Sequence, residues 1–124
     1  MASDTPTKGQ LERSLSQKVQ ALYRNQLGQQ PSKVSCQLCD EKLIIILEDS
    51  LTQPEQILAQ GGQEDLAEEV RTNLDDFIKP KLKSLVEEVS GVNVTDLLSD
   101  VTLESGLTGI IAMLEKTPMV RSAS

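Results

Sequence analysis

Two cysteines three residues apart, Cys36 and Cys39 in SCQLCD, are where residue type and spacing first suggest chemistry. Such a pair can be half of a tetrahedral zinc site or a thiol redox couple. Zinc needs four ligands, and the chain offers two cysteines and no histidine. A redox pair works at a helix N-terminus, where the dipole favours the thiolate. Around these two residues, however, Val34, Cys36 and Leu38 alternate with Ser35, Gln37 and Cys39, the period of a strand with one wet face. Residues three apart on a strand point to opposite faces, which separates the thiols. The expectation is one core cysteine and one surface thiol, with a thiol or metal site at Cys36 and Cys39 as the alternative.

The second candidate is Lys79-Pro-Lys-Leu-Lys83, a basic island in an acidic chain, with Arg71 two turns earlier. Arg71, Lys79, Lys81 and Lys83 could receive an anion or an acidic partner. They could equally be the solvated face of a long helix, paired with Asp75, Asp76, Glu87 and Glu88. Carboxylate pairs come third: Glu48-Asp49, Glu68-Glu69, Asp75-Asp76 and Glu87-Glu88. None has calcium-loop spacing with its glycine, and neighbouring helix positions do not converge on one point. The absence of histidine excludes Ser-His-Asp and Cys-His catalysis and imidazole metal sites. No catalytic residue, cofactor or enzymatic activity is expected.

Composition narrows the partners. The net charge is −7 over 124 residues, and Tyr23 and Phe77 are the only aromatics. Nucleic acid is bound by clustered cations and stacking aromatics, so it is not an expected partner. No stretch approaches the ~18 consecutive apolar residues of a membrane span, so direct insertion is not expected either. MASDTPTKGQ lacks the apolar segment of a secretory signal, which makes the cytoplasm the expected location.

The elements that would hold these residues follow from periodicity. Residues 1–8 and 117–124 read as mobile tails around a single domain, 9–116. From Gly9 to Gln29, Leu11, Leu15, Val19, Leu22 and Leu27 keep to one helical face, and Gly28 with Pro31 ends the helix. A hairpin turns at Asp40-Glu41. Its second strand, KLIIILE, is apolar on both sides, as a strand covered on both faces would be. Thr52-Gln-Pro-Glu55 carries the signature of a capping box, with Thr52 and Glu55 as structural caps of a short helix ending at Gly61-Gly62. A long helix follows from about Gln63 to Ser90. Leu66, Val70, Leu74, Phe77, Ile78, Leu82, Leu85, Val86 and Val89 set its apolar face, and Pro80 predicts a kink. Val92 to Thr102 and Leu107 to Glu115 complete a second hairpin.

The fold class is therefore α+β in the order α-β-β-α-α-β-β. Two hairpins make a four-stranded antiparallel sheet, packed with an N-terminal helix and a long kinked helix. Ile44, Ile46, Ile111 and Met113 then point away from the core side of the sheet. Either the two helices lie on opposite faces, or a second copy docks there to form a homodimer, which is the favoured outcome.

The segments GQQPSKV, LEDSLTQPEQIL, VRTNLDDFIKPKL and VEEVSGVNVTDLLSDV together resemble a small bacterial domain family. That family was long catalogued as of unknown function and later associated, as the C component, with a sodium-translocating, membrane-potential-generating system. The shared features are Gly28 with Pro31, the turn carrying Leu51, Thr52 and Glu55, Arg71 with the long amphipathic helix that continues after it, and Gly91 before the second hairpin. The resemblance extends over roughly residues 9 to 115. It implies a small soluble accessory protein whose partner is a membrane transporter component handling sodium or inorganic carbon. It brings no catalytic residues, and it singles out Thr52, Glu55 and Arg71. A small-anion or metabolite-binding regulatory module remains the alternative.

Overall fold

The computed structural model describes residues 5–121. Its elements are α1 (Lys8–Leu27), β1 (Lys33–Cys39), β2 (Lys42–Glu48), α2 (Gln53–Gln60), α3 (Glu64–Ser90), β3 (Val94–Thr102) and β4 (Leu107–Leu114). The order is the expected α-β-β-α-α-β-β, and the strands form one antiparallel sheet in the order β1-β2-β4-β3. The two strands with apolar residues on both faces, β2 and β4, are its centre.

Local chemistry sets the boundaries. Thr7 caps α1 by accepting from the Gln10 amide, while the Gln10 side chain accepts from the Thr7 amide. Gly28, at φ 71°, supplies the left-handed residue that ends this helix. Of the expected tails, residues 1–4 and 122–124 lie outside the described residues. Within 5–8 and 117–121, the Arg121 amide donates to the Pro6 carbonyl at 2.9 Å and its Nε to the Thr5 carbonyl at 2.8 Å.

One side of the sheet carries the core. Leu38, Leu43, Ile45, Leu47, Ile110, Ala112 and Leu114 meet Leu11, Leu15, Val19 and Tyr23 of α1 and Ile78, Leu82 and Val86 of α3 in a single cluster. Both long helices therefore lie on the same face, so the arrangement with one helix on each side is not adopted. The opposite face is left without a covering element.

The long helix differs from its expected face in its first half. Leu66 and Phe77 are 44% and 48% exposed, whereas Ala67 and Arg71 are buried. The apolar face of Ile78, Leu82 and Val86 continues towards the N-terminus through Arg71 and Ala67, one position out of phase with Leu66 and Val70. Burial here follows a charged side chain, which a hydrophobic period cannot register. In α1 the inward residue of the last turn is likewise Tyr23, with Leu22 and Leu27 half-buried. The helix α3 continues across Pro80, which lacks the N–H that would bond to the Asp76 carbonyl.

Candidate functional site

The polar centre of the molecule lies where the end of β2, the start of α2 and the first half of α3 converge. Asp49 takes φ 55°, in the left-handed region that Asp tolerates, and turns the chain off the sheet. Ser50 follows, fully buried: its amide and hydroxyl both donate to the Gly106 carbonyl, at 3.0 and 2.9 Å. Its oxygen also lies 2.6 Å from the Thr108 hydroxyl. Next, Glu55 reaches back over the first turn of α2. One carboxylate oxygen accepts from the Thr52 amide at 3.0 Å and from the Thr52 hydroxyl at 2.8 Å. Glu55 thus reaches back to the Thr52 amide as a capping box requires, while the Thr52 hydroxyl, expected to accept from a backbone N–H, donates to Glu55.

Arg71 closes the arrangement. Its Nε and a terminal nitrogen donate to the two oxygens of Glu55, both at 2.7 Å, a bidentate pair. The same terminal nitrogen reaches the Ser50 carbonyl at 3.2 Å, and the other donates to Asp75 at 3.2 Å. Glu55 is 0% and Arg71 3% exposed. Burial works against the guanidinium charge, yet the hydrogen bonds and charges of Glu55 and then Asp75 outweigh it and raise its pKa. Asp75 is the other case: burial, with the charges of Glu55 and Asp76 adding to it, raises its carboxyl against the pull of Arg71. No buried side-chain donor or acceptor among the described residues lacks a partner. A continuous chain of bonds thus runs Thr108, Ser50, Arg71, Glu55, Thr52, tying the second hairpin to α2 and α3.

Above this junction opens a cleft of about 1270 Å³ between α2, α3 and the β3–β4 turn. Glu64, Glu68, Asp75, Asp76, Asp100 and Glu104 line it against Arg71 and Lys79, so its potential is negative and disfavours an anion. The four basic candidates are divided among different surroundings. Arg71 is held by Glu55 and Asp75, and Lys81 stands over the Phe77 ring at 5.0 Å. Lys79 stands between the cleft and an adjoining shallow depression of about 350 Å³ beside β3, which Lys83 also lines.

The cysteines lie on opposite faces of β1, Cys36 buried and Cys39 exposed, and both are free thiols. Burial, with Glu12 adding to it and a bond to Ser16 opposing it, pushes the Cys36 thiol up to about 11. It is therefore protonated and unreactive at neutral pH. Among the described residues no three Cys, Asp or Glu side chains are grouped to hold a metal ion.

Ile44, Ile46, Ile111 and Met113 share the uncovered face of the sheet, as the strand register requires. Leu98 and Leu107 join them, 54% and 40% exposed. The sequence reading missed these two, along with Thr108 of the polar junction, whereas Asp75 was named there as a pairing partner of the basic residues and does pair with Arg71. Leu98 lies in LLSD, where the register of β3 relative to β4 decides which leucine turns inward. The bulge between Val94 and Asp96 sets that register.

Residues 7–116 match the family described as Na+-translocating membrane potential-generating system (MpsC). The match spans most of the chain, which belongs to this family. No curated protein and no solved structure matches it. The family description points to a role in a membrane sodium system. No helix among the described residues is long and apolar enough to cross a membrane.

Proposed function

We infer that the chain is a non-enzymatic accessory protein that works by association, in the cytoplasm, serving membrane components that move sodium. One observation carries this reading: both long helices lie on one face of the sheet, and the other face presents Ile44, Ile46, Leu98, Leu107, Ile111 and Met113 without cover. Apolar surface of this kind on a small acidic protein is associating surface. The polar junction supports the same reading. Glu55 and Arg71 bond to each other and to neighbouring backbone and hydroxyl groups, which is how a scaffold is held and leaves neither group poised as an acid, a base or an anion receptor. The negative cleft favours a basic partner surface over an anionic metabolite.

The test is affinity capture from detergent-solubilised membranes of the source cells, with mass-spectrometric identification of the recovered proteins. A multi-span ion-translocating subunit should be recovered stoichiometrically. Recovery of none, at native expression levels, would overturn the assignment.

A further inference from the structure

The uncovered face has a pattern specific enough to identify what covers it. Across β1, β2, β4 and β3, the paired residues form rows. One row is Gln37, Ile44, Ile111, Leu98. The next is Ser35, Ile46, Gly109, Asp100, and on the other side lies Cys39, Lys42, Met113, Asp96. The middle of the face is apolar. The β3 flank carries two aspartates, whereas the β1–β2 flank balances its charges: Lys33 pairs in register with Glu48, and Lys42 lies 3.3 Å from the Glu41 carboxylate.

Gly109 is the unexpected residue. It lies in a central strand, where glycine weakens pairing and packs nothing. A Cβ at this position would meet only Ile46 Cδ1 of the same chain, at 3.7 Å, an ordinary contact. Its φ is not in the left-handed region, so neither conformation nor internal packing requires glycine. Its missing side chain lets the Ile46 side chain lie over the strand here and keeps the outer face low at this row.

The sheet edges point the same way. On β1 the Leu38 amide is occupied by the Glu12 carboxylate of α1 at 2.8 Å. On β3 the amides of Val94, Leu97 and Val101 donate to Glu87, Asp96 and Asp100. Side chains thus blunt both edges, which leaves the face as the route of association.

We propose that this face is closed by a second copy of the chain, related by a two-fold axis that runs along the strands between β2 and β4. That axis lays β1 over the second copy's β3 and β2 over its β4. Ile44 then faces Ile111 of the second copy, and Ile46 packs over its Gly109, reciprocally, where no side chain stands in the way. The charge-balanced β1–β2 flank lies over the acidic β3 flank, so Asp96 and Asp100 face Cys39 and Ser35 rather than further carboxylates. A two-fold axis across the strands would instead bring the two β3 flanks together, with Asp96 and Asp100 of both copies on one side. The two sheets would pack as aligned layers, crossing at ~30°. This inference rests on the association reading above and gives the sheet face to a second copy, so that a membrane component meets the dimer at the negative cleft. Four strands ~4.8 Å apart and about seven residues long give a patch of roughly 450 Å² per copy in projection. That is below the roughly 1,200 Å² in total of a lasting interface, so the dimer is a weak, reversible one.

Sedimentation equilibrium from about 1 to 100 µM tests it. The wild type should pass from 13.6 kDa to twice that mass. Gly109→Val should weaken dimerisation at least tenfold while the melting temperature holds or rises, because valine suits a strand better than glycine. Leu98→Lys, at a site 54% exposed, should weaken it similarly and decides the matter if the valine variant does not fold. Orientation is read by a bismaleimide spanning about the ~10 Å between packed sheets. Asp96→Cys should cross-link to Cys39 of the second copy far more than wild type does. A wild type that stays at single-chain mass throughout, variants that dimerise as tightly as wild type, or equal cross-linking would each overturn the proposal. A dimer that captures no membrane subunit would refute the accessory role alone, and a monomer that captures one would refute the dimer alone.

Discussion

At the residue scale the molecule turns on Arg71. Removing one partner of a buried ion pair leaves the other charged and without compensation, at a cost of about 3–5 kcal/mol. Arg71→Ala should therefore lower stability by that amount in urea unfolding. The double change Glu55→Leu with Arg71→Met should cost much less, because it removes both charges and keeps the volume. Titration gives a second expectation. Tyr23 is buried and pushed up to about 12 from 10.0, and Cys36 to about 11 from 9.0, burial being the main cause in each. The folded chain thus holds both protons more tightly than the unfolded chain does. The contribution is complete below pH 9 for Cys36 and below pH 10 for Tyr23, and is lost as pH rises to about 11 and 12. Each shift is worth on the order of 2–3 kcal/mol. The urea midpoint should fall across this range, and Tyr23→Phe should remove the part above pH 10. Thr52 and Glu55 were legible as a cap from their spacing. The pairing of Glu55 with Arg71 was not, since it joins residues sixteen apart through a fold that local pattern does not specify.

At the scale of elements, the helices and hairpins were readable because turn chemistry and period agreed: Gly28, Asp40-Glu41, Thr52 to Glu55 and Gly91 all fall at element ends. The face of α3 was readable only from Ile78 onward, where it packs in the common core. Before that it is held by a charged side chain, so Leu66 and Val70 marked the wrong side. Pro80 offers a test of how much this helix bears. Proline in a helix interior costs ~3 kcal/mol relative to alanine, partly offset by its stiffening of the unfolded chain. Pro80 is exposed, so Pro80→Ala should raise stability by about 1–2 kcal/mol, measured as an increased urea midpoint. A decrease would mean that the proline shapes the helix to reach both the core and the polar junction.

At the scale of the whole molecule, the two apolar faces of β2 and β4 were visible in KLIIILE and GIIAML, but not which face the helices would take. Either arrangement satisfies the period of two, and the choice depends on α1 and α3 packing together on one side. The result is a protein with one face finished and one open. The account stands on that open face being covered by a second copy. Met113 lies on it, half-buried, while Met119 is 79% exposed elsewhere on the chain and serves as an internal reference. Dilute peroxide oxidation, followed by mass spectrometry across a concentration series, measures the two together. The account predicts that Met113 becomes protected relative to Met119 as concentration rises through the dimerisation range, and that Gly109→Val abolishes the protection. An oxidation ratio that stays constant from the most dilute to the most concentrated sample would contradict it.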